Sequence, residues 1–484
     1  MHLSKVASGF GWTSISTIVN GLAQVLRLSI LSRFLTKEDF GVVTIITLLL
    51  GLTHVFSDLG FSAAIMSEKD LKRNSFNGIF WAQLFFYLLL IILVSLSAPV
   101  LASYYHQPIL NYLIPLSLLE LLFLGIGKLY DTILQKQLRF KLIAIRNVIG
   151  ATCSLIIAVI LAVLGFGAYS LVISTVLHAA ILHSWNFIIG SREYPITFRH
   201  IDFSESKSLM KVGFYQMGTQ IVDYFASKID ILIISNYLGL EILGVYNLVK
   251  ELVLKFIMVI NTIVNRVMLP TFSAQFTSIE YLKNSFLRFI EKLSLVNFPI
   301  IGFIFVFRYN LINIFYGSQY TDATQVFGIM SIWSLFVVLG NPNGMIAIIT
   351  KNTKISFEYT IVRFFIMLLV VYLVGRYSLV DAALSMLIVY MIMFFVNWKI
   401  LLNRILNISL IEYLGCFIVF LLCVSFISLA CDFLVLNDYL NIHNSFLICL
   451  IYGLLYFFLI FIFLYLLKKN QLYELLNTLF LRNR

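Results

Sequence analysis

Leu31-Ser-Arg-Phe-Leu-Thr-Lys-Glu-Asp-Phe-Gly-Val-Val43 returns 203 residues later as Ile234-Ser-Asn-Tyr-Leu-Gly-Leu-Glu-Ile-Leu-Gly-Val-Tyr246. Ser, Leu, Glu, Gly and Val match without a gap. A polar stripe precedes each copy at the same offset. The first is Thr13, Thr17, Asn20, Gln24 and Arg27; the second is Gln216, Gln220, Asp223, Ser227 and Asp230. Steps of three or four residues place each set on one face of a helix. Both helices are otherwise apolar and long enough to cross a bilayer. A polar face in a membrane is costly unless it meets protein or water. Two such faces, one per half of the chain, predict the walls of one central cavity.

The surrounding sequence fits a polytopic membrane protein. Of its 484 residues, 61% are hydrophobic and 12% charged, against about a quarter charged in soluble chains. A helical span needs about 20 apolar residues. Fourteen runs qualify: roughly 9–31, 41–66, 79–103, 109–130, 142–164, 167–190, 212–235, 243–267, 292–314, 324–349, 355–375, 379–400, 411–433 and 446–467. They are too long for barrel strands and do not alternate. The first run carries the polar stripe and lacks a small-residue cleavage site, so no cleavable signal peptide is expected. The five cysteines lie in or at the ends of spans without metal-ligand spacing, and read as small packing residues.

Charge placement sets an expected orientation. With a cytoplasmic N-terminus, 22 of the 34 basic residues fall in inside loops and four (Arg33, Lys37, Arg308, Arg376) in outside loops. This bias predicts an even span count with both termini cytoplasmic. The net charge of +11 is then topological, and no nucleic-acid partner is implied.

The segment 191–211, with Pro195 and several charges, reads as a cytoplasmic linker. It separates an N-terminal lobe at 1–190 (spans 1–6) from a C-terminal lobe at 212–400 (spans 7–12). Residues 401–484 add spans 13–14 and a cytoplasmic tail. A second echo supports the repeat: Phe140 to Arg146 resembles Phe357 to Arg363, each opening a span with Phe and placing Arg six residues later. Six spans per half is even, so the copies enter the membrane with the same polarity. The expected fold is an all-α membrane protein of about 14 transmembrane helices. Two six-helix lobes form parallel repeats around a central cavity, and two C-terminal helices follow. Transporters place substrate sites between such halves.

Ionisable residues within spans are functional candidates. Arg27, Lys250 and Lys255 put positive charge on the predicted walls, which suits an anionic cargo. Asp230, Lys228 and Asp58 are gating or ion-coupling candidates. Simpler roles compete with these. Arg27 could pair with Asp230, and Lys228 with Glu251, as packing locks. Asp58 could cap a helix. Arg146 and Arg363, near span ends, could snorkel to lipid phosphates.

The chain resembles the polysaccharide transporters, the O-antigen and exopolysaccharide flippases of the multidrug/oligosaccharidyl-lipid/polysaccharide exporter superfamily. The residues carrying the resemblance begin with Gly11-Trp12, Leu31 to Gly41, Phe56-Ser-Asp-Leu-Gly-Phe-Ser-Ala-Ala64 and Phe80-Trp81. Ala98-Pro99, Tyr104-Tyr105, Pro108, Leu134 to Phe140 and Gly165-Phe-Gly167 follow. Asp230, Gly239 to Tyr246 and Pro270-Thr-Phe-Ser273 complete the set. It spans roughly residues 5–400.

The resemblance implies a V-shaped, alternating-access flippase in the bacterial inner membrane. It would move undecaprenyl-pyrophosphate-linked oligosaccharide units from the cytoplasmic to the periplasmic leaflet for surface polysaccharide synthesis. Arg27, Lys250 and Lys255 would then attract the pyrophosphate, with Arg146 and Arg363 as further substrate candidates. Asn20, Gln24, Gln220 and Asp223 would line the sugar path. Membrane lipids, a polysaccharide polymerase and chain-length machinery are the expected partners. No metal or cofactor is expected, and a coupling ion, H+ or Na+, is left open. Three alternatives stand beside this reading. A drug or cation antiporter would use Asp58, Asp223 and Asp230. A membrane glycan polymerase or ligase would need a large outer loop. An assembly protein would use its intramembrane charges only for packing.

Overall fold

Inside a bilayer every backbone N–H and C=O must find a partner within the protein, so long apolar runs fold as helices. The computed structural model describes residues 2–57, 61–67, 73–197, 207–274, 279–350, 352–437 and 444–480, and all regular structure among them is helical. The chain opens with α1 (His2–Leu31), α2 (Lys37–Ser57), the short α3 (Phe61–Ser67), α4 (Arg73–Tyr104) and α5 (Leu110–Lys136). Next come α6 (Phe140–Val163), α7 (Ala168–Gly190), α8 (Lys207–Tyr237), α9 (Gly239–Ala274) and α10 (Ile279–Val306). They are followed by α11 (Arg308–Tyr316), α12 (Thr324–Gly340), α13 (Asn343–Ile349), α14 (Thr353–Val374) and α15 (Leu379–Asn397). Last are α16 (Arg404–Leu406), α17 (Leu410–Gly415), α18 (Ile418–Leu436) and α19 (Ser445–Phe480).

Among the described residues, twelve helices are long and apolar enough to span a membrane, and they coincide with twelve of the predicted spans. The other two predicted spans fall on α8 and α9. These helices carry Asp223, Lys228, Asp230, Lys250, Glu251 and Lys255. Four predicted runs each take in two α-helices, among them 292–314, which covers parts of α10 and α11. The run 41–66 covers both α2 and α3, and 411–433 covers parts of α17 and α18. The run 324–349 breaks between α12 and α13 at Asn341-Pro342, where proline has no N–H to continue the ladder.

Packing divides the chain into two compact units, Met1–Leu248 and Val249–Arg484. The division falls within α9, and α8 packs on α2 in the first unit. Near the starts of α2 and α9, the matched glycines of the repeated segment meet. Gly41 lies against the Leu240 carbonyl, and Gly244 against the Lys37 carbonyl and the Gly41 backbone, with no room for a Cβ at either. Nearby, Tyr104 Oη donates to Asn236 Oδ1 at 2.5 Å, and the Tyr105 and Ser235 hydroxyls are 3.1 Å apart.

The core of the first unit rests on α5, which packs on α4 and α7. Gly127 abuts the His183 backbone and Gly190 the Tyr130 ring, so small residues bring the helices close. Phe61, Phe76, Phe80 and Tyr130 form a buried aromatic cluster at one end of this bundle. The start of the midpoint segment is pinned there: Asn77 Nδ2 donates to the Thr197 carbonyl (2.7 Å) and Tyr130 Oη to the Tyr194 carbonyl (2.9 Å). Gln137 and then Arg139, both bonded to Glu193, hold that carboxyl below the usual carboxylate range.

In the second unit, α12 packs on α10 and α15, with Trp333 buried against Tyr390. The last two spans are fastened to this unit. Arg308 of α11 pairs with Asp432 of α18 at 2.8 Å. Tyr456 of α19 donates to the Pro299 carbonyl at 2.9 Å, in space left by Gly302.

Asn407 ends α16 in a left-handed conformation, and Ser409 caps α17 in a capping box with Glu412. Lys283 Nζ reaches Glu412 Oε1 at 2.8 Å. The Lys283 ammonium, followed by the Ser409 donors, lowers the Glu412 carboxyl to about 2. A folded-state value below the ordinary ~4.3 gives stability that is complete above that value and lost as pH falls toward the folded one. Amide exchange in α17, corrected for intrinsic rates, should therefore keep its protection from pH 8 to 5. In Glu412→Gln that protection should be weaker across the same range. Equal protection in both proteins would remove the pair as the anchor of this helix.

Candidate functional site

The first polar stripe faces a cavity. Asn20, Gln24 and Arg27 of α1 line a space of about 320 Å³ inside the first unit. Thr47, Gly51 and His54 of α2, Glu120 of α5, Ser154 of α6, and Thr175 and His178 of α7 supply the rest of its polar and small wall. Nearer the start of α1, hydroxyls spend their polarity inside their own helix: Thr17 of the stripe and the neighbouring Ser16 both donate to the Thr13 carbonyl. Thr47 does the same toward Val43. Asn20 Oδ1, by contrast, is buried and accepts no hydrogen bond among the described residues. Tyr224 of α8 packs on Gly51 and donates to the Leu48 carbonyl at 2.5 Å.

Sequence reasoning missed the cavity's acid. Glu120 Oε1 lies 3.3 Å from His54 Nε2, with the side chains 21% and 38% exposed. The signal available was a single glutamate in the run Leu118-Leu-Glu-Leu-Leu122. His178 was missed as well. The cavity thus holds Arg27 and two imidazoles against one carboxylate. Among the described residues no group of three His, Cys, Asp or Glu is placed to hold a metal ion.

The second stripe is placed differently. Gln220 and Asp223 are exposed. The Ser227 hydroxyl donates to the Tyr224 carbonyl. Asp230 is fully buried and accepts a 2.7 Å hydrogen bond from Tyr246 Oη. Lys228 is half-buried on the same helix. Asp58 and the Gln216 side chain lie outside the described residues.

The lysines predicted for the cavity wall belong to the second unit, and each has cover there. Lys250 is buried, with its ammonium 5.9 Å from the Trp333 ring centre. Lys255 Nζ is 3.5 Å from Glu251 one helical turn earlier. Arg363 is half-buried on α14. Asp381, charged and close to a span, caps α15 with Ser378.

Arg146 corrects the snorkelling expectation. It is 4% exposed and its Nη2 donates to Asp131 Oδ1 at 2.5 Å. The α5–α6 turn folds the two residues together, so the guanidinium points into protein and away from lipid phosphates.

These helices are those of a known group. Residues 30–325 match the family described as polysaccharide biosynthesis protein. Teichuronic acid biosynthesis protein TuaB of Bacillus subtilis (strain 168) is 25% identical over 355 residues, 73% of each chain. Lipopolysaccharide biosynthesis protein WzxC of Escherichia coli (strain K12) is 21% identical over 420 residues, 85% of this chain and 83% of that one. Among solved structures, the inward closed conformation of the lipid II flippase MurJ shares the fold, with a TM-score of 0.78 at 17% identity over 95% of this chain and 99% of that one. With most of its length inside one family, this multi-pass membrane chain belongs to the polysaccharide biosynthesis proteins.

Proposed function

We propose that the protein is a flippase for undecaprenyl-pyrophosphate-linked oligosaccharide repeat units, moving them from the cytoplasmic to the periplasmic leaflet of a bacterial inner membrane. The observation that carries this reading is the cavity of Arg27, Asn20 and Gln24 in a chain of the polysaccharide biosynthesis family. A guanidinium grips a phosphate through paired hydrogen bonds, and the neighbouring amides suit sugar hydroxyls. The unsatisfied Asn20 carbonyl oxygen is an acceptor ready for such a hydroxyl. The similarity of fold to a protein named lipid II flippase supports a cargo of lipid-linked glycan.

Lys250 and Lys255 would add positive charge in the second unit. Lys255 contributes less, since Glu251 compensates it. Gln220 and Asp223, being exposed, would meet sugars during passage, and Asp230 with Tyr246 would act as a lock. The inside-loop charge bias favours both termini in the cytoplasm, and a polymerase with its chain-length partner would take the exported unit.

Deleting the protein should leave undecaprenyl-linked repeat units on the cytoplasmic leaflet and deplete surface polysaccharide. Arg27→Ala should lower export about tenfold or more, as expected for losing a charged hydrogen-bonding pair worth ~1.5–3 kcal/mol. Arg27→Lys should fall between the two. The measurement is leaflet-resolved labelling of lipid-linked glycans. Normal surface polysaccharide and no accumulation in the deletion strain would rule the reading out.

A further inference from the structure

A cavity built for an anion has no use for a carboxylate, yet Glu120 lines this one. It interrupts a leucine run within a span, where an ionised group is costly. Its position therefore needs a reason. Three cationic or protonatable groups face it from the other walls: Arg27 on α1, His54 on α2 at 3.3 Å, and His178 on α7. The α6 wall contributes only Ala151, Ser154 and Leu155, and Arg146 further along that helix is tied to Asp131. His178 lies within electrostatic reach of Arg27, Glu120 and Arg146, so these charges form one coupled set.

We propose that Glu120 is a proton-binding countercharge of the anion site. In the empty cavity it is a carboxylate, paired with His54 and offsetting Arg27. When a polyphosphate headgroup binds at Arg27, the two anions repel. Glu120 then takes a proton from water, forming an O–H bond and leaving hydroxide to the buffer. The cavity exchanges its internal anion for the cargo's, and its total charge changes little. Binding linkage is reciprocal: if the anion raises Glu120's proton affinity, protonation raises the anion affinity by the same factor. Affinity should therefore be highest at low pH and fall as pH rises. This rests on the anion-binding reading of the cavity given above.

The test uses the purified full-length protein in detergent, with inorganic pyrophosphate as the probe. In weakly buffered solution, adding pyrophosphate to the wild type should cause proton uptake beyond that of the probe alone, read by a pH indicator. Glu120→Gln, which keeps the side chain's shape, should bind pyrophosphate more tightly at pH 8, by about tenfold for one unit of proton-affinity shift. It should also lose the excess uptake. His54→Asn should not tighten binding, because it removes a positive group and leaves the acid. The ratio of wild-type to variant affinity cancels the probe's own titration, and melting temperatures confirm that each variant is folded.

If wild type and Glu120→Gln bind with equal affinity at every pH, the countercharge role is overturned while the anion site stands. Wild type failing to bind and Glu120→Gln binding would support the proposal. Binding by neither would remove the anion site, and the countercharge with it. Sodium-dependent binding that Glu120→Gln abolishes would replace the proton with a metal cation and overturn the proposal.

Discussion

Arg146→Met should destabilise the protein by about 3 kcal/mol, the lower end of the range for breaking a buried ion pair. The guanidinium side chain is 5% exposed and Asp131 16% exposed. Removing Arg146 leaves a mostly buried carboxylate with Gln135 as its described donor. That leftover charge causes most of the damage. Asp131→Leu alone should be harmful for the same reason, since it strands the arginine. The double variant Arg146→Met/Asp131→Leu should recover most of the loss, because apolar groups of similar volume replace a pair that was costly to desolvate. Thermal unfolding in detergent of all four proteins closes the cycle. Three variants as stable as the wild type would mean that the pair holds nothing together. If only the arginine variants lost glycan export while stability held, Arg146 would serve the cargo instead.

Gly41→Val and Gly244→Val are expected to be comparably damaging. Each glycine faces backbone, not a side chain that can swing away. A branched side chain must push α2 and α9 apart, and overpacking of this kind costs about 1–3 kcal/mol or more. Gly344 on α13 provides the contrast, since among the described residues nothing lies within 4 Å of its missing Cβ. There Gly→Ala should be neutral or stabilising by up to about 1 kcal/mol through helix propensity. Fluorescence-detected size exclusion would separate these outcomes. Monodisperse Gly41→Val with wild-type melting would show that the crossing can relax.

Helix faces are legible in the sequence because periodicity is local. Asn20, Gln24 and Arg27 share a face by spacing alone, and they share a cavity wall in the fold. Glu120 is not legible in this way. Its partner His54 sits on another helix, and nothing on α5 repeats the polarity. Arg146 misleads for a related reason: distance to a span end suggests lipid, while Asp131 across a helical hairpin decides otherwise. Two features were legible and overlooked. Glu251 stands four residues before Lys255, the favourable order for a helical ion pair. Ser378 followed three residues later by Asp381 is a helix-start signal, so that aspartate needs no cavity. The break after α12 is also visible in the sequence, at Pro342.

The crossing of Gly41 and Gly244 has a consequence for what each half of the chain can become. The two residues hold the same place in two copies of one segment, and each lies on the start of the other's helix. Two surfaces of like sequence therefore meet within a single polypeptide. At this crossing each copy is the other's mould. A larger residue in either one has to be accommodated by a surface built from the same pattern, and smallness there is a joint property of the pair.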